Sequence, residues 1–120
     1  MIEKVVLSER IEKLPGPWQP RLVADPNGQE VRLARIEGEF VWHAHEDADE
    51  LFLVLDGEFD LELRDGSLHL GPGEMVCVPR GVEHRPVAQG PCHVLIFEPA
   101  GTDSAGGTGD PRGVTAPPRE

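Results

Sequence analysis

Glycine and proline punctuate this chain so often that no long helix fits between them. Turn signals recur at Pro15-Gly16-Pro17, Pro26-Asn27-Gly28, Glu37-Gly38, Asp56-Gly57, Asp65-Gly66, Gly71-Pro72-Gly73, Pro79-Arg80-Gly81 and Gln89-Gly90-Pro91. Short apolar or alternating runs lie between them, over residues 31–36, 39–45, 50–55, 58–64, 67–70, 74–78, 83–87 and 93–98. Many short strands at this spacing predict an all-β sandwich or barrel. Asp65-Gly66 between two alternating runs predicts a tight hairpin. The one candidate helix spans residues 8–14, with Ser8 as its cap.

A chain of 120 residues supports one domain. Residues 99–120 hold five Gly and four Pro and almost no large apolar side chain, too little to offset the entropy of ordering them. A mobile tail is expected from about Gly101. This divides the chain into an N-terminal strand or helix segment packing on the barrel (1–29), the barrel itself (30–99) and a mobile Gly/Pro-rich tail (100–120).

The chain carries 22 acidic and 11 basic side chains, a net charge of −11. Nucleic acid and anionic membrane surfaces are excluded as expected partners, because both are bound through Lys and Arg. No run approaches the ~20 apolar residues that span a bilayer. The N-terminus lacks an apolar leader, so a cytoplasmic location is expected. Cys77 and Cys92 both sit in apolar runs and read as buried, reduced thiols.

Side chains on a strand alternate faces. Val41, His43 and His45 therefore share one face, with Phe40 and Trp42 on the other. Glu50, Phe52 and Val54 share one face of the next strand, and Leu51, Leu53 and Leu55 the other. A strand apolar on both sides is covered on both, by a second sheet or another chain, and a homodimer is expected.

His43 and His45 project to the same side, Glu50 follows across a polar bend, and His84 comes just after the Pro79-Arg80-Gly81 turn. Three imidazoles and a carboxylate suit one divalent first-row transition metal (Fe, Mn, Ni, Cu or Zn) and disfavour calcium. Four protein ligands on a six-coordinate ion leave two open positions.

The spacing Gly38-(four residues)-His43-Ala44-His45-(four residues)-Glu50-(six residues)-Gly57, followed by Gly73-(five residues)-Pro79-Arg80-Gly81-(two residues)-His84, resembles the paired motifs of the cupin superfamily. The likeness covers about residues 30–98. The first motif usually has one more residue between its Gly and first His, and the second usually ends in Asn where this chain has Ala88. The resemblance implies a double-stranded β-helix (jelly-roll) cupin barrel, metal ligation by His43, His45, Glu50 and His84, and frequent dimerisation. Small single-domain cupins of this look are often described as mannose-6-phosphate isomerase-like.

His69 and His93 lie outside both motifs. Residues 37–62 hold ten acids and no Lys or Arg, which reads as a solvated rim that also favours cation loading. Arg35, Arg80 and Arg85 are the basic residues near the motifs. Alternation turns Arg85 away from His84, and Arg80 is within reach of the cavity mouth. Trp42, Phe40, Phe52, Phe59 and Phe97 read as core or subunit contact. Met75 and Cys77 share a face; an inward orientation would place them in the cavity.

Three functions fit. One is a metalloenzyme acting on a small molecule by isomerase, dioxygenase or lyase chemistry. The second is a non-catalytic, metal-dependent module that binds or senses a small ligand. The third is a barrel that the metal mainly stabilises. No free His, Tyr or Lys in the motifs serves as a general base, so no catalytic residue is assigned. Lys4 and Lys13 are the only lysines, and no Gly-rich phosphate cradle is visible.

Overall fold

Residues 2–119 are described by the computed structural model, and the short runs between turn signals become antiparallel strands. A short helix, α1 (Leu7–Glu12), precedes β1 (Arg21–Ala24) and a single 3₁₀ turn (Pro26–Gly28). Then come β2 (Gln29–Glu39), β3 (Glu50–Asp56), β4 (Phe59–Leu63), β5 (Gly66–Leu70), β6 (Met75–Val78) and the long β7 (His84–Pro99). The helix is shorter than expected. Val6, not Ser8, stands at its N-cap and makes no side-chain cap bond, so α1 is held by packing rather than by capping.

The strand order is β1-β2-β7-β3-β6, with β4 pairing β7 and β5. β7 belongs to both layers. Its second half pairs with β2 and β3, from His93 to Pro99, and its first half pairs with β4, from His84 to Val87. The register with β2 jumps from Ile36↔Cys92 to Gly38↔Ala88. Residues 89–91, which read as a turn, thus lie inside the strand as a bulge that bends it between layers. Together these pairings form an all-β jelly-roll barrel: the punctuation predicts the all-β barrel, and the resemblance implies its jelly-roll form. The β4–β5 hairpin also forms, but Leu63 pairs with Gly66, so its two-residue turn is Arg64-Asp65 and Gly66 opens β5.

Strand β3 alternates as expected: Glu50, Phe52 and Val54 are buried, and Leu51, Leu53 and Leu55 are half-buried. The inner face packs on Ile36, Phe59, Leu61, Val78 and Val94. The outer face carries two cross-strand rows, Cys77-Leu51-Phe97-Val31 and Met75-Leu53-Leu95-Leu33. Val5, Leu7, Ile11 and Leu14 from the N-terminal segment cover the β2 side of these rows. The β6 side stays open: Met75 is 64 % exposed and Cys77 is exposed. Cys77 is therefore not a buried thiol, and Met75 and Cys77 do not line the cavity, because β6 is an edge strand whose apolar pattern faces outward there. Cys92 is fully buried as expected.

The C-terminal residues were expected to hang free; instead they lie against the barrel. Ala105 is fully buried, and Leu22 N donates to Pro118 O at 2.8 Å. Backbone hydrogen bonds do the work that missing apolar side chains cannot. No helix among the described residues is long and apolar enough to cross a membrane.

Candidate metal centre

Strand β2 stops at Glu39, and residues 40–49 cross the barrel opening without a continuous ladder. The expected strand over residues 39–45 survives as one bridge: His43 N donates to His84 O at 3.1 Å, and His84 N returns a bond to His43 O at 2.9 Å. That reciprocal pair brings residues from both motifs together at the end of β7. Glu50 opens β3 on its inward face, and Gly81 N donates to His45 O at 2.9 Å, tying the second motif's turn to the first motif.

His43, His45, Glu50 and His84 are all buried, and each offers one donor atom within 4.8 Å of the others. Nε2 of His84 lies 3.1 Å, and Nε2 of His45 3.3 Å, from the same Glu50 Oε1. The His43 and His84 ring centroids are 4.3 Å apart. Nδ1–H of His43 donates to Val41 O at 2.8 Å, and Nδ1–H of His84 to Val82 O at 2.9 Å. These bonds anchor each ring through Nδ1 and turn its Nε2 inward toward the Glu50 carboxylate, where Nε2 would be the metal-binding atom. Burial, then the neighbouring His84, pushes the His43 imidazole down to about 4, which keeps it neutral at ordinary pH. Burial opposes ionisation of Glu50, yet the imidazoles of His45 and His84 beside it hold its carboxyl well below the usual carboxylate range. His45 Nε2 has no hydrogen-bond partner of good geometry. Buried imidazole nitrogens gathered round a carboxylate, with an orphaned ring nitrogen among them, are the donor set of a cation site. The residues present fit a divalent transition metal.

Beside these donors is a cavity of about 40 Å³, lined by Trp18, Phe40, Arg32, Glu98, Phe52 and Ile96 among others. Phe40 does not follow the expected alternation. With the ladder ended at Glu39, its backbone bonds to Pro86 O and its ring meets His43 edge-on at 5.5 Å between centroids. Trp42 does face outward, under the Arg64 guanidinium at 3.9 Å.

Arg32 and Glu98 were missed by the sequence reading. Both are fully buried, with Arg32 Nη1 3.2 Å from Glu98 Oε2 and Arg32 Nη2 2.7 Å from Glu30 Oε1. Burial, together with the charge of Glu50, pushes the Glu98 carboxyl up to about 9. Parity puts Arg32 on one face with Ala34 and Ile36, and Glu98 with Ile96 and Val94, but does not tell which face is inner.

The other singled-out residues lie elsewhere. Arg80 bonds Asp49 on the exposed rim through both its backbone N (2.9 Å) and its Nε (3.4 Å), and does not line the cavity. Arg85 turns away from the donors to Glu62 and Glu39. Arg35 donates to His93 Nε2 at 3.1 Å, and His93 Nδ1 donates to Asp56 at 2.6 Å. His69 is exposed against Asp60.

Residues 29–98 match the cupin domain family (Cupin_2). The chain is a cupin. It is 39 % identical over 64 residues to the uncharacterised protein YdbB of Bacillus subtilis (strain 168), an alignment covering 52 % of this chain and 57 % of that protein. The chain thus matches little more than half the length of that curated relative. Among solved structures, a cupin-2 domain protein from Shewanella frigidimarina superposes with a TM-score of 0.78 at 39 % identity, over 79 % of this chain and 93 % of that one. Protein NMB1881 from Neisseria meningitidis gives 0.74 at 28 % identity, over 81 % and 99 %.

Proposed function

We propose that this cupin holds one divalent first-row transition metal on His43, His45, Glu50 and His84 and uses it on a small molecule. The observation that carries the reading is the pinning of Nδ1 on His43 and His84 by backbone carbonyls, which turns their Nε2 atoms toward a buried carboxylate. A metal there supplies a Lewis acid to a ligand oxygen. The chain's own residues shape what such a ligand meets: aromatic and aliphatic walls, the buried Arg32 and Glu98, and few other polar groups. Isomerase, dioxygenase and lyase chemistry all fit. A sugar-phosphate isomerase reading would need a cation for the phosphate, and the cation in this cavity, Arg32, is already engaged by Glu30 and Glu98.

The test is metal analysis of purified and reconstituted protein. One equivalent of iron, manganese, nickel, copper or zinc is expected, with none retained by Glu50→Gln or His84→Ala. Less than a tenth of an equivalent in the parent protein would overturn the reading. The alternative is a non-catalytic binding or sensing module, favoured by the small cavity and by the lack of a free His, Tyr or Lys in it. A metabolite screen that yields a bound ligand but neither turnover nor oxygen consumption would select it.

A homodimer is part of the proposal. The open rows around Met75 and Leu51 are apolar, and a second copy is their proposed cover. Sedimentation is expected to give twice the 13.1 kDa chain mass, and Met75→Asp the mass of one chain.

A further inference from the structure

The C-terminal residues cross the mouth of the barrel directly over the donor cluster. Thr102 turns the chain by donating its hydroxyl to Pro99 O at 2.7 Å, and Asp103 closes a tight turn by accepting from Ala105 N and Gly107 N, each at 3.0 Å. Ser104 and Val114 close the following loop by two bonds, at 3.0 and 2.8 Å. Ser104 then lines the cavity that His43 and Glu50 line. At Gly106, φ +61°, an added Cβ would strike Ala44 O and lie 3.1 Å from His43 Cβ, so a side chain has no room. Arg112 donates to Glu39 O at 2.9 Å and sits 4.7 Å over the Phe40 ring and 5.8 Å over Trp18.

Arg32 fastens this segment from below. Its guanidinium donates to three backbone carbonyls of the tail, Thr102 (3.0 Å), Thr115 (3.2 Å) and Val114 (3.4 Å), while its other contacts go to Glu30 and Glu98. The segment is held by hydrogen bonds, an exposed Arg119–Asp25 ion pair and two small buried side chains, Ala105 and Pro117. Elements held this way open locally at far less cost than the barrel. With the segment in place the cavity is about 40 Å³, enough for a water or two. Ligand pockets run to roughly 300–1,000 Å³. With the segment in place, this cavity has no room for a small molecule beside His43 and Glu50.

We propose that residues 101–119 are a lid over the metal cavity, latched on Arg32, that opens to admit a small ligand and closes to exclude water. The ligand part of this rests on the metal reading above; the lid itself does not. Two measurements on the full chain separate them. The first is extraction of zinc from the loaded protein by pyridine-2,6-dicarboxylate. Gly106→Val, which cannot seat against Ala44, and Arg112→Ser, which frees the segment from Phe40 and Trp18, are expected to speed extraction at least tenfold. Leu68→Ser, on an exposed strand away from the mouth, leaves the rate unchanged. The second is acrylamide quenching of Trp18 in metal-free Trp42→Phe protein, where the same two variants are expected to at least double the quenching constant. An open groove beside His45, bordered by Asp47, Thr102 and Gly107, is the competing route. If the parent binds zinc and both readouts match the parent in folded variants, ligands enter by that groove and the lid is overturned. If no protein binds zinc, the metal reading fails, and the Trp18 measurement alone decides the lid.

Discussion

At the scale of single residues, the two thiols show how position in a sheet overrides apolar context. Cys92 is enclosed between layers, where burial, then the nearby Asp56 and Glu58, pushes its thiol up to about 12. Cys77 sits on the open face of an edge strand. Because the thiolate is the reactive form, folded Met75→Asp protein, in which the proposed dimer face is free, is expected to react with one equivalent of a thiol reagent between pH 7 and pH 9, with Cys77 modified. The second equivalent should react only in denaturant, and fast loss of both thiols in native protein would contradict this arrangement. The metal donors were legible in the sequence because their spacing recurs in two linked motifs. Arg32 and Glu98 were not, because a charged residue in an alternating run reads as solvent-facing until the sheet's inner face is known. Their burial was expected of neither; Glu30, 2.7 Å from Arg32, balances its charge, and burial favours the neutral form of Glu98 beside it.

At the scale of elements, the barrel depends on how tightly β3 turns into β4 beneath the bulge of β7. Gly57, between them, has φ +76°, and a Cβ there would strike Pro91 O and lie 2.8 Å from Cys92 Cα. Gly73, before β6, has φ +80° but open space around it. The pair separates backbone strain from collision. Gly73→Ala is expected to cost about 1 kcal/mol from the left-handed conformation alone. Gly57→Ala pays that and a backbone clash, for a total of about 3 kcal/mol. Urea denaturation with an unchanged m-value checks both, and equal costs would mean that the bulge yields freely. The Asp56-Gly57 turn and the inside-out alternation of β3 could be read directly, since both are local. The bulge at residues 89–91 was misread as a turn because Gly and Pro signal a break in direction but not whether pairing resumes in the same strand. That resumption is a long-range fact, set by β2 and β4 on either side of β7.

At the scale of the whole molecule, a net charge of −11 and a buried Glu50 held ionised make this a fold that gains from taking up a cation. The tail adds to this coupling. Its low apolar content suggested a free end, and its actual fastening depends on Arg32, a partner some 70 to 83 residues away in sequence that composition cannot reveal. The closed state thus links the lid, the buried Arg32–Glu98 pair and the donor cluster into one unit. Any metal that binds the folded chain but not the unfolded one must stabilise it by mass action, by about 2.7 kcal/mol at a hundredfold excess over its dissociation constant. For a chain of this length that corresponds to a rise in melting temperature on the order of 10 °C. The rise should grow with the logarithm of free zinc or manganese, and a chelator should reverse it. It should vanish in His84→Ala and Glu50→Gln. In Leu68→Ser, which touches no donor, it should persist in full. If the donor variants kept the rise, the stabilising ion would be sitting on the acidic rim of residues 37–62 and not among the imidazoles.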